Sequence, residues 1–293
     1  MVYALISYGI RDWGGRVTIL VTGATGNVGR LVVDELIATG ADVRALTIDP
    51  ERAALPAEAE VIVGSLARPS TLPLALKGVE AVYLAPMAGT VGRFCELAKE
   101  AGIRRVVALS GGSVGDEHEG SSGHEYAAVE AAVRAAEFDW TFLRPGAFMN
   151  NTLGWAGMVR ATGEVQSAYG EATQASIDLG DIAAVAAHVL TTQGHLGRTY
   201  VLSGPEAISQ RAQAAAIGTA LGKTIAFREL TRAEQRQQWV TYGIPENAVD
   251  WILDGFEETV RHPQEPTGVV EELLGRPGTT YAQWAVANAA AFS

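Results

Sequence analysis

Short apolar runs of strand length alternate with stretches of helical spacing along the first half of the chain. Val28, Leu31, Val32 and Leu36 recur three or four positions apart and predict a helix over residues 27–39, directly after a strand over 16–21. The further runs predicted as strands are 43–47, 60–63, 81–85, 106–109 and 140–143, with helical spacing at 70–76 and 89–101. Strands that alternate with helices predict right-handed crossovers and a doubly wound parallel sheet, so the predicted fold class is α/β.

Beyond residue 150 the pattern becomes mainly helical. Asp181 is expected to cap a helix that ends at Thr191, and residues 199–202 and 224–230 have strand character. Further helix starts are indicated by Ser209 and by two capping boxes, Thr231 with Glu234 and Thr280 with Gln283. The expected parts are a flexible leader at 1–15, an α/β core at 16–150, and a smaller, mainly helical lobe at 151–293 that packs on the core and partly returns to its sheet.

Three glycines lie in the turn that joins the first strand to the first helix. Gly23, Gly26 and Gly29 have a variant of the G-x-G-x-x-G spacing, but they follow a strand and open a helix. Gly23 permits a tight turn, Gly26 lets phosphates approach, and Gly29 allows close packing of helix on strand. Backbone N–H groups near Asn27 and Val28, backed by the positive end of the helix, suit a pyrophosphate. We predict a dinucleotide site here rather than a purely structural turn.

The sequence around this turn resembles a known family. Residues 19–29, ILVTGATGNVG, are similar to the atypical short-chain dehydrogenase/reductases, in particular the NmrA-like group of NAD(P)-binding proteins. Further segments that resemble motifs of the group are 64–66 (GSL), 85–86 (AP), 143–150 (LRPGAFMN), 181–183 (DIA), 202–206 (LSGPE), and 275–277 (GRP) leading into Thr280 and Trp284. The likeness covers nearly the whole chain after the leader. It implies a Rossmann fold in which the C-terminal lobe holds the substrate.

The resemblance also assigns residues to the cofactor. These residues follow successive strands: Gly23, Thr25, Gly26, Asn27 and Val28 at the pyrophosphate, Ser65 and Leu66 at the adenine, Ala85, Pro86 and Met87 along the ribose and pyrophosphate, and Pro145, Gly146, Ala147 and Phe148 beside the nicotinamide. Ser65 stands where an aspartate is usual in the family. The backbone N–H of Leu66 is therefore left to serve as the adenine contact.

Residues after the second strand bear on the choice between NAD and NADP. An acid there favours the ribose 2'-hydroxyl of NAD, whereas a cation favours the 2'-phosphate of NADP. Thr47 is neutral and Ile48 replaces the usual family arginine, but Arg52 matches a second basic position that the family uses on the phosphate. Arg44 is a further cation on the strand, and Asp49 favours NAD. We predict NADPH over NADH.

The residues for proton transfer depart from the pattern of the wider superfamily. By that resemblance a serine and a tyrosine bind the carbonyl oxygen, and a lysine lowers the tyrosine pKa. Ser110 and Ser113 follow the fifth strand and Tyr126 lies on the next helix, but Glu130 stands where the lysine is expected. A carboxylate there would raise the pKa of Tyr126. We therefore expect Ser110, Ser113 and Tyr126 to act as neutral hydrogen-bond donors.

The implied function is an NAD(P)H-dependent reductase that transfers hydride to a carbonyl or quinone of an apolar small molecule, aromatic ones included. Two alternatives stay open: a sensor of the NmrA type that binds a dinucleotide without turnover, and a serine hydrolase. The hydrolase would use Ser113 in residues 111–115 (GGSVG) with Asp181 and His188 or His195, although the polar segment 116–123 is unlike the helix that a nucleophile elbow needs. Apolar residues expected in the core, with a minority in a substrate cleft, are Phe148, Met149, Trp155, Met158, Trp239, Trp251 and Phe256.

Composition excludes several other classes. A net charge of −11 repels nucleic acid and anionic membranes, so neither is expected as a partner. A single cysteine, Cys95, cannot form an intrachain disulfide and fits a cytoplasmic location. The histidines His118, His124, His188 and His195 lack zinc-type spacing, so no metal is predicted. A monomer or homodimer is expected.

Overall fold

The computed structural model describes residues 17–293, and the leader predicted at 1–15 lies outside the described residues. Its strands are β1 (Thr18–Val21), β2 (Asp42–Thr47), β3 (Glu60–Val63), β4 (Ala81–Leu84), β5 (Arg105–Leu109), β6 (Asp139–Pro145), β7 (Glu164–Ala168), β8 (Thr173–Gln174), β9 (Arg198–Leu202), β10 (Ile208–Ser209) and β11 (Ala226–Leu230). Seven of them form one parallel sheet in the order β3-β2-β1-β4-β5-β6-β9. The prediction of a doubly wound parallel sheet is confirmed.

The strand order reverses direction between β1 and β4, and ligands of such sheets bind outside the carboxyl ends of the strands at this switch point. The helices are α1 (Asn27–Ala38), α2 (Pro50–Ala53), α3 (Leu72–Leu76), α4 (Val91–Glu100), α5 (Gly123–Ala135), α6 (Ala156–Thr162), α7 (Leu179–Thr191), α8 (Gln210–Ala220), α9 (Arg232–Thr241), α10 (Glu246–Arg261), α11 (Val269–Leu274) and α12 (Tyr281–Ala287).

Two apolar layers cover the two faces of the sheet, so its central strands are buried on both sides. Alternate residues of β1 point to opposite faces, so Ile19 joins the layer under α1 and α7, whereas Leu20 joins the layer under α3, α4 and α5. The first layer includes Val32 and Ile182, and the second includes Phe94. This two-sided burial explains why the strands are nearly continuous apolar runs in the sequence.

The chain after residue 150 adds to this sheet and also builds smaller units of its own. β9 pairs with β6 at the edge of the main sheet, β7 pairs in parallel with β11, and β8 pairs antiparallel with β10. One further core lies among α6, α8 and α12, and another lies between the hairpin α9–α10 and β7. Both predicted capping boxes are present, at Thr231 and Thr280. Among residues 17–293 no helix is both long and apolar enough to cross a bilayer.

Two details differ from the predictions. α7 begins at Leu179 and its cap is Asp178, whose carboxylate accepts the N–H of Gly180 at 2.9 Å, so the prediction that Asp181 caps this helix is wrong. Asp181 is instead 1% exposed and binds the segment after α11, accepting from Arg276 at 2.8 Å and from the N–H of Thr279 at 2.6 Å. The sixth strand also runs on to Pro145, because its last residues pair with β9.

Candidate active site

The turn between β1 and α1 has a shape that larger residues would prevent. Gly23 has a φ of +62°, and a Cβ at this position would lie 2.9 Å from the Cβ of Ala85. A Cβ at Gly29 would lie 2.2 Å from the carbonyl oxygen of Gly23. The strand, the turn and the helix therefore approach each other as closely as the glycine pattern predicts.

The N-terminus of α1 is open to a ligand. Its cap residue is Gly26, no side chain caps the helix, and its first turn holds no acidic residue. Thr25, Gly26 and Asn27 are exposed. Free N–H groups at the positive end of a helix of 12 residues suit an anion. The residues present thus fit the pyrophosphate of a dinucleotide.

A buried hydroxyl that the sequence analysis did not assign links this turn to β4. Thr22 is fully buried, and its Oγ1 donates to the carbonyl oxygen of Tyr83 at 3.0 Å and accepts from the N–H of Ala85 at 2.8 Å. These bonds hold the segment after β4 beside the glycine turn, where Pro86 is half-buried and Met87 is 41% exposed. A polar residue between an apolar strand and the first glycine was the signal that could have revealed it.

The residues expected at the adenine form a tight turn after β3. The N–H of Ser65 donates to Thr71 Oγ1 at 3.0 Å, and Ser65 Oγ accepts from the N–H of Ala67 at 3.2 Å. Leu66 is 7% exposed and packs in the second apolar layer. The hydroxyl of Ser65 is therefore used within the turn, and the adenine contact through the N–H of Leu66 stays a prediction.

The charged residues near the end of β2 have different roles. Asp49 caps α2 by accepting the N–H of Arg52 at 3.2 Å, so its carboxylate already has a structural partner. Arg44 is bound to Glu60 at 2.7 Å and to two backbone carbonyls, which makes it a structural residue. The side chain of Arg52 is exposed and has no hydrogen-bond or ion-pair partner within residues 17–293. Ile48, four positions before Arg52, is 66% exposed.

A buried carboxylate lies behind the ends of β5 and β6. Glu130 of α5 is 1% exposed, accepts from Ser110 at 2.8 Å, and receives two hydrogen bonds of 2.7 Å from Arg144 of β6. Arg134 lies 3.1 Å from the same carboxylate. Burial alone would raise the pKa of Glu130, but the hydrogen bonds from Arg144 and Ser110 and the two arginine charges lower it. Ser110, which is also 1% exposed, donates its proton to Glu130.

Tyr126 is half-buried and lies against the backbone of the same strand end. A Cβ at Gly111 would lie 2.4 Å from its ring, so the ring packs directly on this glycine. Burial raises the pKa of Tyr126, a hydrogen bond with Ser122 lowers it, and the charge of Glu125 raises it. The pKa of Tyr126 is therefore raised, as predicted. The cause is mainly burial and not Glu130, because the Glu130 carboxylate is bound by Arg144 and Arg134.

Ser113 and the segment after β6 are brought together by backbone hydrogen bonds. The N–H of Gly112 donates to the carbonyl oxygen of Pro145 at 2.8 Å, and the N–H of Gly146 donates to that of Leu202 at 3.0 Å. Ser113 Oγ lies 3.2 Å from the hydroxyl oxygen of Ser122. Residues 147–149 are fixed further by hydrogen bonds with Ile177. Ser113 and Tyr126 therefore share one edge of the sheet with the segment expected at the nicotinamide.

The apolar residues considered for a cleft are all buried or half-buried. Met149 is 1% exposed and Trp155 is half-buried, and both pack in the core of α6, α8 and α12. Met158 accepts from the N–H of Gln166. The other three belong to the hairpin α9–α10. Trp239 and Phe256 pack together in its core, and Trp251 donates to Asp116.

The serine-hydrolase triad does not form. His195 Nδ1 lies 2.8 Å from the hydroxyl of Tyr200, and the His195 carbonyl oxygen accepts from Thr141 near the start of β6. Ser113 follows the end of β5, whereas His195 lies beside the start of β6. Because the two strands are parallel, Ser113 and His195 lie at opposite ends of them. His188 stacks edge-on against His195, and Asp181 is bound to Arg276. Within residues 17–293 no cluster of three or more potential metal ligands is found.

A doubly wound parallel sheet is typical of dinucleotide-binding proteins when a glycine turn and an uncapped helix N-terminus lie at its switch point. The chain belongs to the NAD(P)H-binding family, whose model matches residues 23–193. Its likeness to the NmrA-like, atypical short-chain dehydrogenase/reductase type confirms the resemblance stated from the motifs.

Several relatives that match nearly the whole chain are reductases. A "(4-alkanoyl-5-oxo-2,5-dihydrofuran-3-yl)methyl phosphate reductase" of Streptomyces griseus subsp. griseus is 38% identical over 94% of this chain and 99% of its own. An NAD(P)H azoreductase of Xenophilus azovorans is 33% identical over 94% of this chain and 99% of its own. The structure of an Escherichia coli NADPH-dependent quinone oxidoreductase with NADPH superposes with a TM-score of 0.79 at 27% identity. The match covers 91% of this chain and 98% of that one. The chain is an NAD(P)H-dependent oxidoreductase of small molecules, and the sensor alternative is not favoured.

Proposed function

We propose that this protein uses NADPH to reduce a carbonyl or quinone group of an apolar small molecule at the carboxyl edge of its sheet. The observation that supports this most is that Tyr126, which is half-buried and has a raised pKa, packs on Gly111 in the same segment that carries Ser113 and bonds to Pro145. Neutral hydroxyl groups at this place can donate hydrogen bonds to a carbonyl oxygen. Relatives that act on a furanone phosphate, a quinone and an azo compound support a reducible, conjugated substrate.

The chain supplies binding, orientation and a proton. The turn from Gly23 to Val28 would hold the pyrophosphate of the bound cofactor, and residues 145–148 would lie beside its nicotinamide. When bound, NADPH supplies the hydride. Tyr126 and Ser113 donate hydrogen bonds to the substrate oxygen, and Tyr126 or a water beside Ser113 gives that oxygen its proton. Ser110 has no direct contact with substrate in this scheme, because its hydroxyl donates to Glu130.

The test is oxidation of NADPH by the purified protein in the presence of menadione, aryl ketones and an azo dye, followed by nicotinamide absorbance. We expect oxidation that depends on the acceptor and on Ser113 and Tyr126. A protein that binds NADPH with normal affinity but oxidises it with no acceptor would be a sensor, and the proposal would then be wrong.

The preference for NADPH is proposed from Arg52. Its exposed guanidinium is free of partners within residues 17–293, while Asp49 is engaged as a helix cap. A free cation near the end of β2 suits a 2'-phosphate. Arg52→Ala should weaken binding of NADPH about tenfold or more and leave binding of NADH nearly unchanged. Arg93→Ala, which removes an exposed arginine of α4, is the charge-matched control. An equal loss for both cofactors would contradict the assignment.

A further inference from the structure

The loop that carries Ser113 is fastened to the C-terminal hairpin by polar contacts. We call residues 111–122, between β5 and α5, the β5–α5 loop. Trp251 Nε1 of α10 donates to Asp116 Oδ2 at 2.6 Å, and His118 Nε2 lies 3.2 Å from Asp254 Oδ2. Both contacts join this loop to the same helix.

The contacts from α10 come from one face of the helix. Gly120 packs on the backbone of Asn247 so closely that a Cβ at this glycine would lie 2.5 Å from the Asn247 carbonyl carbon. Asn247, Trp251 and Asp254 are four and three residues apart, a spacing that places side chains on one side of a helix. Val249 and Leu253 are fully buried in the hairpin core. The helix thus packs on its own hairpin with one face and holds the loop with another.

Asp116 transmits this contact to the residues proposed for proton transfer. The N–H of Asp116 donates to the carbonyl oxygen of Ser113 at 2.9 Å and closes the turn that begins at this serine. A Cβ at Gly123 would lie 2.3 Å from the same oxygen, so the start of α5 rests on the turn. Tyr126 follows three residues later on α5. A shift of Asp116 would therefore move Ser113 and the helix that carries Tyr126.

We propose that Trp251 and Asp116 are positioning residues for the reduction, and that their hydrogen bond fixes the β5–α5 loop in the geometry in which Ser113 and Tyr126 reach the substrate oxygen. This inference rests on the proposed function. Neither side chain needs to contact the cofactor or the reacting atoms. The expected consequence of losing the bond is a misplaced loop, with the dinucleotide turn on the other side of the switch point unaffected.

Paired substitutions test this role. Trp251→Phe removes the indole donor and keeps an aromatic ring. Asp116→Ala removes the acceptor of both Trp251 and the N–H of His118, and Asp116→Asn keeps one of the two acceptor oxygens. We expect the first two each to lower kcat/KM for menadione about tenfold, as loss of one charge-assisted hydrogen bond allows, with the Kd of NADPH changed by less than about twofold. Because Asp116 Oδ1 also accepts from the N–H of His118 at 2.9 Å, the double variant should lose no more than Asp116→Ala alone. Asp116→Asn should retain more activity than Asp116→Ala.

Hydrogen exchange of peptides covering the β5–α5 loop gives a readout that needs no turnover. Exchange should be faster in Trp251→Phe and Asp116→Ala, and unchanged in Tyr242→Phe, a control at a 72% exposed position of the same hairpin. If wild type is active and Trp251→Phe matches wild type in either exchange or kcat/KM, the positioning role is wrong. An additive loss in the double variant also overturns it. If wild type reduces no acceptor, the proposed function fails first and the positioning role with it.

Discussion

Replacing Glu130 by glutamine tests whether its buried carboxylate holds α5 to the ends of β5 and β6. The carboxylate accepts from Ser110 at 2.8 Å and twice from Arg144 at 2.7 Å, and Arg134 lies 3.1 Å away. Glutamine keeps the size and one acceptor oxygen for Ser110. It removes the negative charge that faces the two guanidinium groups, which is the part of the interaction under test.

The expected cost follows from the charge and the exposure of its partners. Removing one member of a fully buried ion pair costs about 3–5 kcal/mol. Arg144 is 24% and Arg134 is 45% exposed, so water compensates part of that loss. We expect Glu130→Gln to lower the free energy of unfolding by about 2 kcal/mol, and Glu130→Ala, which also leaves the Ser110 hydroxyl without its acceptor, by about 4 kcal/mol. The melting temperature should fall by about 4 °C for Glu130→Gln.

Urea unfolding at neutral and acid pH measures this contribution and its origin. The pKa of Glu130 in the folded protein is below its ordinary value, so its stabilisation is complete above the unfolded-state pKa and is lost as the pH falls through the folded-state pKa. The difference between wild type and Glu130→Gln should therefore shrink below about pH 4. Glu137→Gln, at an 86% exposed position, should change stability little. A wild-type advantage that is absent at pH 7, or equal at both pH values, would refute the reasoning.

Three further outcomes are expected. Tyr126→Phe should lower the rate of reduction by less than the factor of about 100 that marks loss of an activated general acid, because no positive charge of residues 17–293 is among the groups that shift its pKa; steady-state kinetics would show a larger loss if this is wrong. The rate of reduction should stay flat up to about pH 10, since the pKa of Tyr126 is raised and the donor stays protonated, and a fall near neutral pH in a pH–rate profile would contradict this. Thr22→Val leaves the N–H of Ala85 without its partner and should cost about 1–3 kcal/mol in unfolding free energy and weaken NADPH binding in a fluorescence titration; unchanged values would show that the β1–β4 link is dispensable.

The central fold could be predicted because each of its signals is local. Apolar runs gave the strands, and the glycine turn after β1 marked the switch point. The exact cap of α7 could not be predicted, since Asp178 and Asp181 are both suitable acids near a helix start. Arg276, far away in sequence, decides between them by pairing with Asp181. The strand at 199–202 is predicted by its local pattern, whereas its place beside β6 in the main sheet depends on long-range pairing.

The candidate site divides in the same way. The N-terminus of α1 at Gly26 is uncapped and Arg52 is exposed, and their roles at the pyrophosphate and the 2'-phosphate stay predictions. The partners of Glu130 could not be predicted from the sequence. Helical spacing places Glu130 one turn after Tyr126 and suggests a direct interaction between these two residues. Arg144, on another strand, draws the carboxylate toward β6 instead. Likewise, nothing in the sequence of the β5–α5 loop indicates that Trp251 binds it.

The arrangement favours one direction of the reaction. Oxidation of an alcohol needs a base, and a tyrosine with a raised pKa is a poor base at neutral pH. Reduction needs an acid, and the same raised pKa keeps the Tyr126 proton in place until the substrate oxygen becomes strongly basic. Glu130 offers no alternative base, because its charge is balanced by Arg144 and Arg134 and its pKa is lowered. A chain without this lysine should therefore still reduce a carbonyl, whereas the reverse oxidation at neutral pH should be slow.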